Sequence, residues 1–324
     1  MCFETVTMNR RREYREACYT SVDTMHGLRC LTENMYIYNM KSGDVVIGIE
    51  NESCIRCGKC VRVCPAGIMV QERKGGEVGL EHTDSCIVCG HCVDVCPTGS
   101  VIHSVFPPDK QHIIDYSMLP SPEQVMLLIK SRRSNRVLTS AAVTAEMLDR
   151  IVEAASYAPT ASNSQQVSFT VITDAEKLRQ ISGFTIGVFD SIGKRLMNPA
   201  LKWALKPFLK DVYALIPALR RLKHEHEAGN DPILRKATAL LVFSTPPSYD
   251  FGSEDSNLAY QNASLMAQSL GVSQIYMGFV LRAVKEGGGD KFARITGIDG
   301  KVNAIMALGM PAFKYAKYTD RYIK

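Results

Sequence analysis

Cysteine is absent from residue 97 to Lys324, although the 324-residue chain holds eleven of them. A disulfide framework would need bridges spread through a small chain, so a stapled secreted scaffold is excluded by distribution rather than by number. Long apolar runs are missing too. Ala239–Phe243 is typical of the longest, against the roughly 20 residues that span a bilayer. Arg10, Arg11 and Arg12 are followed by no apolar stretch of the kind a secretory signal carries. No Gly-x-Gly-x-x-Gly follows a strand-like run, so a separate dinucleotide-binding domain is not indicated. Tryptophan occurs once, at Trp203. What remains is ordinary globular composition, 46% apolar and 22% charged, at a length that suits two domains.

Eight of the cysteines lie between Cys54 and Cys96, and only Cys2, Cys18 and Cys30 lie elsewhere. They form two runs, Cys54-x2-Cys57-x2-Cys60-x3-Cys64-Pro65 and Cys86-x2-Cys89-x2-Cys92-x3-Cys96-Pro97. The runs repeat at a period of 32 residues, down to the valine before each last cysteine (Val63, Val95). Duplication of one short unit explains this most economically. Three thiolates at Cys-x2-Cys-x2-Cys spacing can converge on one face of a cubane, and Gly58 and Gly90 let the backbone curl round it. A pair of zinc sites is the alternative, but zinc ligands usually come as two separated pairs, and the Cys-Pro endings favour iron–sulfur. His91 sits inside the second run and takes no ligand role, since four cysteines complete each site.

Residues 45–105 closely resemble a bacterial two-cluster ferredoxin domain. The resemblance implies a small fold of two short hairpins and two short helices, too small to stand without its metal. It also implies a crossed ligand set. Cys54, Cys57, Cys60 and Cys96 would hold one [4Fe–4S] cluster, and Cys86, Cys89, Cys92 and Cys64 the other. Residues 1–44 are Arg- and Glu-rich without clear periodicity. They read as a loosely packed extension, or as residues upstream of a working start at Met40. The charge divides in the same place: residues 1–118 hold 12 basic and 15 acidic residues (net −3), and residues 119–324 a net of +8.

Residues 106–119 read as a linker. Ser121 as N-cap with Pro122 at N1 and Gln124 closing a capping box predicts a helix to about Ser131. A second helix fits Ala145–Ser156, with Met147, Leu148, Ile151, Val152 and Ala155 on one face. Strand-like runs occur at Val167–Thr173, Ala239–Ser244 and Asn303–Leu308. Asn257–Leu270 reads as a helix with apolar positions at 258, 265, 266 and 270, closed by Gly271. In residues 188–224, Pro199, Pro207 and Pro217 are expected to cut short helices. There Leu201, Leu205, Phe208 and Val212 form an apolar stripe beside Lys202, Lys206 and Lys210. A solvated surface helix and a lid or subunit clasp are both open readings of that insertion.

Four motifs run in order through this second part: Ser131-Arg132-Arg133-Ser134-Asn135-Arg136, then Ala158-Pro159-Thr160-Ala161-Ser162-Asn163-Ser164-Gln165, then Leu270-Gly271-Val272 with Met277-Gly278-Phe279, and Gly309-Met310-Pro311-Ala312-Phe313-Lys314-Tyr315-Ala316-Lys317. Together they resemble the nitroreductase family across about residues 120–324. The whole chain is thus expected to be α+β: an N-terminal two-[4Fe–4S] ferredoxin-like domain, then a nitroreductase-like layered α+β domain.

The resemblance implies FMN in a cleft at a homodimer interface. Arg132 and Lys314, with Lys317 or Arg321, would meet the phosphate. Arg133 and Ser134, beside Arg136, would meet the ribityl chain or pyrimidine edge. Pro159, Thr160, Ala161 and Asn163, with Ser162 and Gln165 of the same loop, would come from the neighbouring subunit and close over the ring. The N–H of Gly278, after Met277, would point at flavin N5. Gln166 and Val167 stand where the family often has Trp, and Lys317 where Arg is common.

The expected function is an FMN-dependent oxidoreductase passing electrons from two [4Fe–4S] clusters to FMN and on to a small organic acceptor such as a nitro compound. No catalytic side chain is needed, since the flavin does the chemistry. Other readings are an electron carrier or redox sensor, and an ene-reductase or dehalogenase on the same scaffold. A ferredoxin, a flavodoxin or NAD(P)H would donate. Neither nucleic acid nor membrane is expected as a partner, and oxygen-sensitive clusters suggest an anaerobic cytoplasm.

Overall fold

The computed structural model describes Thr5–Val6, Gly27–Thr32, Met35–Asn39 and residues 45–321. Of the expectations above, those for Cys2 and Cys18, and for the side chains of Cys30 and Leu205, lie outside the described residues. The chain forms two compact units. The smaller holds described residues 45–121 together with Thr160–Gln165. The larger holds Pro122–Pro159, the chain from Gln166 on, and the described strands before residue 41. Those strands are β1 (Thr5–Val6), β2 (Gly27–Thr32) and β3 (Met35–Asn39).

The smaller unit runs β4 (Ile47–Ile49), α1 (Lys59–Val63), β5 (Met69–Val70), β6 (Gly79–Leu80), α2 (His91–Asp94) and β7 (Val101–His103). β5 and β6 form a hairpin, whereas β4 and β7 tie the two ends of the segment together in antiparallel register, Ile47 opposite His103. Each short helix follows a glycine in the left-handed region, Gly58 at φ 67° and Gly90 at φ 76°, where a side chain would be strained. The core is correspondingly small: Cys60, Met69, Val78, Val93 and Val101 are its buried apolar members. So little apolar burial leaves a domain of this size marginal without a further staple.

The larger unit continues with α3 (Pro122–Ser131), α4 (Ala145–Ser156), β8 (Ser168–Ile172), α5 (Ala175–Leu196), α6 (Pro199–Leu205), α7 (Lys210–Glu227), β9 (Ala239–Thr245), α8 (Gly252–Ser269), β10 (Ser273–Tyr276), α9 (Gly278–Ala283), α10 (Gly289–Thr296) and β11 (Lys301–Gly309). The strands form one sheet in the order β1-β2-β3-β8-β9-β11-β10, each neighbour pair antiparallel. Every residue of β9 is buried, and all of β11 but Lys301. Successive residues point to opposite faces, so Leu240, Val242, Ile305 and Ala307 pack into one core with α5 and α10. Leu241, Phe243, Ala304 and Met306 pack into the other with α4 and α8. Burial on both faces makes these strands read as unbroken apolar runs.

Two sequence expectations are corrected here. The helix expected from Asn257 starts at Gly252, five residues earlier, with Glu254 and Asp255 in its first turn where the helix dipole favours acids. Its buried face is also different. Leu258 is 47% exposed, while Ser256, Ala259, Ala263 and Ala267 are buried. Ala259, Ala263 and Ala267 share a buried cluster with α4, where small residues let the two backbones approach closely, and Ser256 accepts from Asn303 of β11. Secondly, Pro217 does not cut a helix: it lies inside α7, an 18-residue helix. Ile216 beside it is 6% exposed, and Tyr213 Oη donates to Leu196 O. These tertiary anchors offset the hydrogen bond that proline cannot make. Pro199 behaves as expected, opening α6 with Asn198 as N-cap. The described members of the apolar stripe are exposed, Leu201 at 44%, Phe208 at 85% and Val212 at 39%, as is Trp203 beside them.

Ala263→Leu is expected to destabilise the larger unit by about 1–3 kcal/mol through overpacking. Leu258→Ser should stay within about 0.5 kcal/mol. Urea denaturation followed by circular dichroism checks both, and equal effects would show the buried face to be wrongly assigned.

Candidate functional site

Two cavities open in the smaller unit. One, of about 330 Å³ with its solvent mouth included, is lined by Cys54, Cys57, Cys60 and Cys96. The other, of about 350 Å³, is lined by Cys64, Cys86, Cys89 and Cys92. Each therefore takes three thiols from one run and one from the other. The remaining lining is mostly apolar, Ile49 and Val78 in the first and Ile47, Ile68 and Met69 in the second. Among the described residues no cluster of His, Cys, Asp or Glu is gathered closely enough for a single ion. Four soft thiol donors round an apolar-lined hollow fit a polynuclear iron–sulfur group.

The cysteines differ in environment. Burial pushes the Cys92 thiol up to about 11, and burial also raises Cys60. Burial acts the same way on Cys64 and Cys96, but there backbone N–H groups outweigh it and the net direction is down. For Cys64 the donors are Ile68, Met69, Ala66 and Gly67. For Cys96 they are Thr98, Val101 and Ser100, with the Thr98 hydroxyl. The turn after each Cys-Pro thus presents donors that favour thiolate.

His103 was not singled out by the sequence, and the fold buries it to 3%. Val105 N–H donates to its Nδ1 at 3.2 Å, which leaves Nε2 to carry the proton. Nε2 lies 3.7 Å from Cys86 Sγ and is placed to donate to it. Burial lowers its basicity. No spacing rule would have found it, because its partner is 17 residues away across β7.

In the larger unit, the first and last motifs are drawn together. Leu138 bridges Pro311, Thr139 N–H donates to Met310 O at 2.8 Å, and Ala312 N–H to Val137 O at 3.0 Å. Asn135, 4% exposed, donates from Nδ2 to Phe313 O at 2.9 Å and accepts from Val137 N–H through Oδ1 at 3.1 Å. Segments 132–139 and 309–314 therefore run side by side, which places Lys314 next to a residue clamped by Asn135. Lys130 Nζ lies 5.4 Å from the ring centre of Tyr318, so the tail containing Lys317 returns to the end of α3. Arg133 turns back on the chain, donating to Lys130 O and Arg132 O.

Near them is a buried polar group. Tyr260, 7% exposed, donates to Gln274 Oε1 and stacks against Tyr276 at 4.8 Å between ring centres. Burial raises the Tyr260 phenol far beyond its usual range, an effect that the charge of Arg132 opposes. Gln274 is 2% exposed, and its Nε2 is the orphaned buried polar side-chain atom among the described residues. An orphaned donor and a guanidinium near one tyrosine suit a ligand rich in acceptor oxygens. FMN has such oxygens, so these residues fit it.

Met277 is 4% exposed and anchored by its N–H to Ile305 O at 2.9 Å. Gly278 follows at the first position of α9, exposed, and a Cβ built on it would meet nothing within 4 Å. Phe279 packs edge-on against Phe189 of α5 at 5.6 Å. One end of the 188–224 insertion thus reaches the neighbour of Gly278. Of the remaining predicted loop, Ala158–Gln165, Ala158 and Pro159 belong to the larger unit and Thr160–Gln165 to the smaller. Ser162, Asn163 and Gln165 have φ of 51°, 52° and 49°, left-handed values that non-glycine residues adopt only when held. Thr160 Oγ1 holds Gln165 N–H at 3.0 Å, and Asn163 Nδ2 donates to Ile87 O and Val88 O.

An antiparallel sheet covered by helices on both faces defines a layered α+β fold. Residues 129–310, more than half the chain, match the nitroreductase family model, and residues 53–101 match that of a 4Fe-4S dicluster domain. The chain belongs to the nitroreductase family. It is similar to a protein of Archaeoglobus fulgidus provisionally named NADH dehydrogenase/NAD(P)H nitroreductase, 25% identical over 48% of this chain and 68% of the relative. Among solved structures it is similar to a nitroreductase with bound FMN from Bacteroides fragilis, at 22% identity, 62% and 95% coverage and a TM-score of 0.48. A second, from Desulfitobacterium hafniense and also with bound FMN, is 18% identical with 61% and 97% coverage and a TM-score of 0.47. Among the described residues no helix is long and apolar enough to cross a membrane.

Asn135→Leu should cost about 1–3 kcal/mol, because it leaves Phe313 O and Val137 N–H without their partner. It should also expose the chain after Gly309 to limited proteolysis. An unchanged midpoint and cleavage pattern would show that other contacts hold the two segments together.

Proposed function

We propose that the chain is an FMN-dependent oxidoreductase in which electrons pass from two [4Fe–4S] clusters to FMN and on to a small organic acceptor such as a nitro compound. The observation that carries this reading is the presence, in one nitroreductase-family chain, of two cavities with crossed sets of four cysteines. Cys54, Cys57, Cys60 and Cys96 would hold one cluster, and Cys86, Cys89, Cys92 and Cys64 the other. His103 Nε2 faces Cys86 Sγ, a contact of the kind that tunes cluster potential.

When bound, FMN accepts electrons singly and releases them in pairs, which matches one-electron clusters to a two-electron acceptor. The chain's own part is to bind and orient. Arg132 and Lys314, with Lys317 or Arg321, neutralise the phosphate, and Asn135 fixes the segment that carries Lys314. Arg133, Ser134 and Arg136 continue the polar wall. Exposed Gly278 leaves room for a flat ring to approach its N–H, and the Phe189–Phe279 pair gives the insertion a place to limit access beside it. Pro159 through Gln165 would complete the site in a homodimer. Exposed Val125, Met126, Leu127 and Ile129 on α3 supply an apolar surface for such an assembly. A ferredoxin, a flavodoxin or NAD(P)H would be the donor.

Anaerobically purified protein should contain about eight irons per chain with FMN. With a reductant and a nitroaromatic compound, it should consume the compound over many turnovers. Clusters that stay oxidised through turnover with every donor would overturn the internal path. Reduction without sustained substrate loss would favour an electron carrier instead.

A further inference from the structure

The two cysteine runs are duplicates, and their loops share an unusual backbone. The second residue after each leading cysteine has positive φ: Arg56 at 55° and Val88 at 53°. For a β-branched valine this is a true outlier, which persists only when its surroundings hold it. In the first loop the restraint is local, since Gln71 Nε2 donates to Arg56 O at 3.1 Å and to Gly76 O at 2.7 Å. The duplicate of Gln71, 32 residues on, is His103, and its ring is spent on Cys86 Sγ and Val105 N–H instead. The second loop therefore lacks the amide that its twin uses.

Asn163 supplies one. Its Nδ2 donates to Val88 O at 2.8 Å, the counterpart of Arg56 O, and to Ile87 O at 2.9 Å. Its own Oδ1 accepts from Gln165 Nε2 at 3.3 Å. Ile87 O and Val88 N belong to one planar trans peptide, whose oxygen and N–H point opposite ways. Holding the oxygen therefore aims the Val88 N–H, which donates to Cys86 Sγ at 3.4 Å.

We propose that Asn163 is a positioning residue for the second cluster: it replaces the missing amide of the duplicated unit and orients the Val88 N–H on Cys86. Hydrogen bonds to cluster sulfurs set potential and lability, so Asn163 acts on both without touching the metal. The residue sits four positions after Pro159 in the loop assigned above to the flavin. Its amide hydrogens are engaged at the Cys86–Cys89 loop, so that loop is tied to the cluster it is proposed to serve. The proposal rests on the reading that Cys86, Cys89, Cys92 and Cys64 hold a cluster.

The test uses whole, anaerobically purified protein carrying Asn163→Gly, which tolerates the left-handed backbone and removes only the amide. Asn163→Asp is the second variant, keeping the shape but losing the donor, and Gln71→Ala is the counterpart in the first loop. Iron content, redox titration monitored by electron paramagnetic resonance, and bleaching in air are read for each. In both Asn163 variants one cluster should shift in potential and bleach about tenfold faster, with the other unchanged. Gln71→Ala should move the other cluster. Asn163 variants that titrate and bleach like wild type, or that move the cluster which Gln71→Ala moves, would overturn the proposal. Wild-type protein with fewer than about eight irons would instead overturn the cluster reading beneath it, and the iron count separates the two failures.

Discussion

The pairing of β9 with β11 is the contact on which the larger unit depends. Seven register pairs from Lys301 opposite Thr245 to Leu308 opposite Ala239 join two interior strands of the sheet with both faces covered. Because side chains alternate, the same short stretch of chain lines both cores, one with Leu240 and Ile305, the other with Leu241 and Met306. Losing the ladder would expose apolar surface to water on two sides at once. The sheet also sets where the candidate ligand groups fall. Met277 hangs from Ile305, Gly278 follows it, and the segment after Gly309 leaves the end of β11 to lie along residues 132–139.

The smaller unit is organised by a different constraint. Its apolar core is slight, and its geometry is dominated by cysteine loops that curl through left-handed residues at Arg56, Gly58, Val88 and Gly90. Backbone of that kind stores strain unless something holds it. Gln71 and Asn163 are two such holders, one from inside the duplicated segment and one from outside it. Duplication repeats the ligands faithfully, because the metal chemistry they are proposed to serve needs all eight. It does not oblige the supporting residues to repeat, and Gln71 has become His103.

Much of both units was legible in the sequence for reasons that are local. Cysteine spacing is a local property, so the two duplicated runs could be read before any fold was known; their crossing was what the ferredoxin resemblance implied. The Pro122 helix start was visible through short-range capping and the Ala145 helix through its apolar periodicity, and both begin where expected. The β9 and β11 runs were visible through unbroken apolar character. The misreadings share a cause. The buried face of α8 was sought among large apolar residues, but close helix packing selects alanine. Pro217 was given its intrinsic effect, which α7's tertiary anchors override.

The sequence by itself therefore determined the duplicated cysteine pattern, the order of the two parts and the positions of several elements, because each is encoded over a few residues. Only the tertiary structure decided which distant groups meet. Asn135 clamps the main chain of Phe313, His103 faces Cys86, Tyr260 meets Gln274, and Asn163 takes the carbonyls of Ile87 and Val88. These contacts join residues up to 178 positions apart. No local pattern specifies such pairs, since they arise from packing the whole chain and not from the preference of any segment.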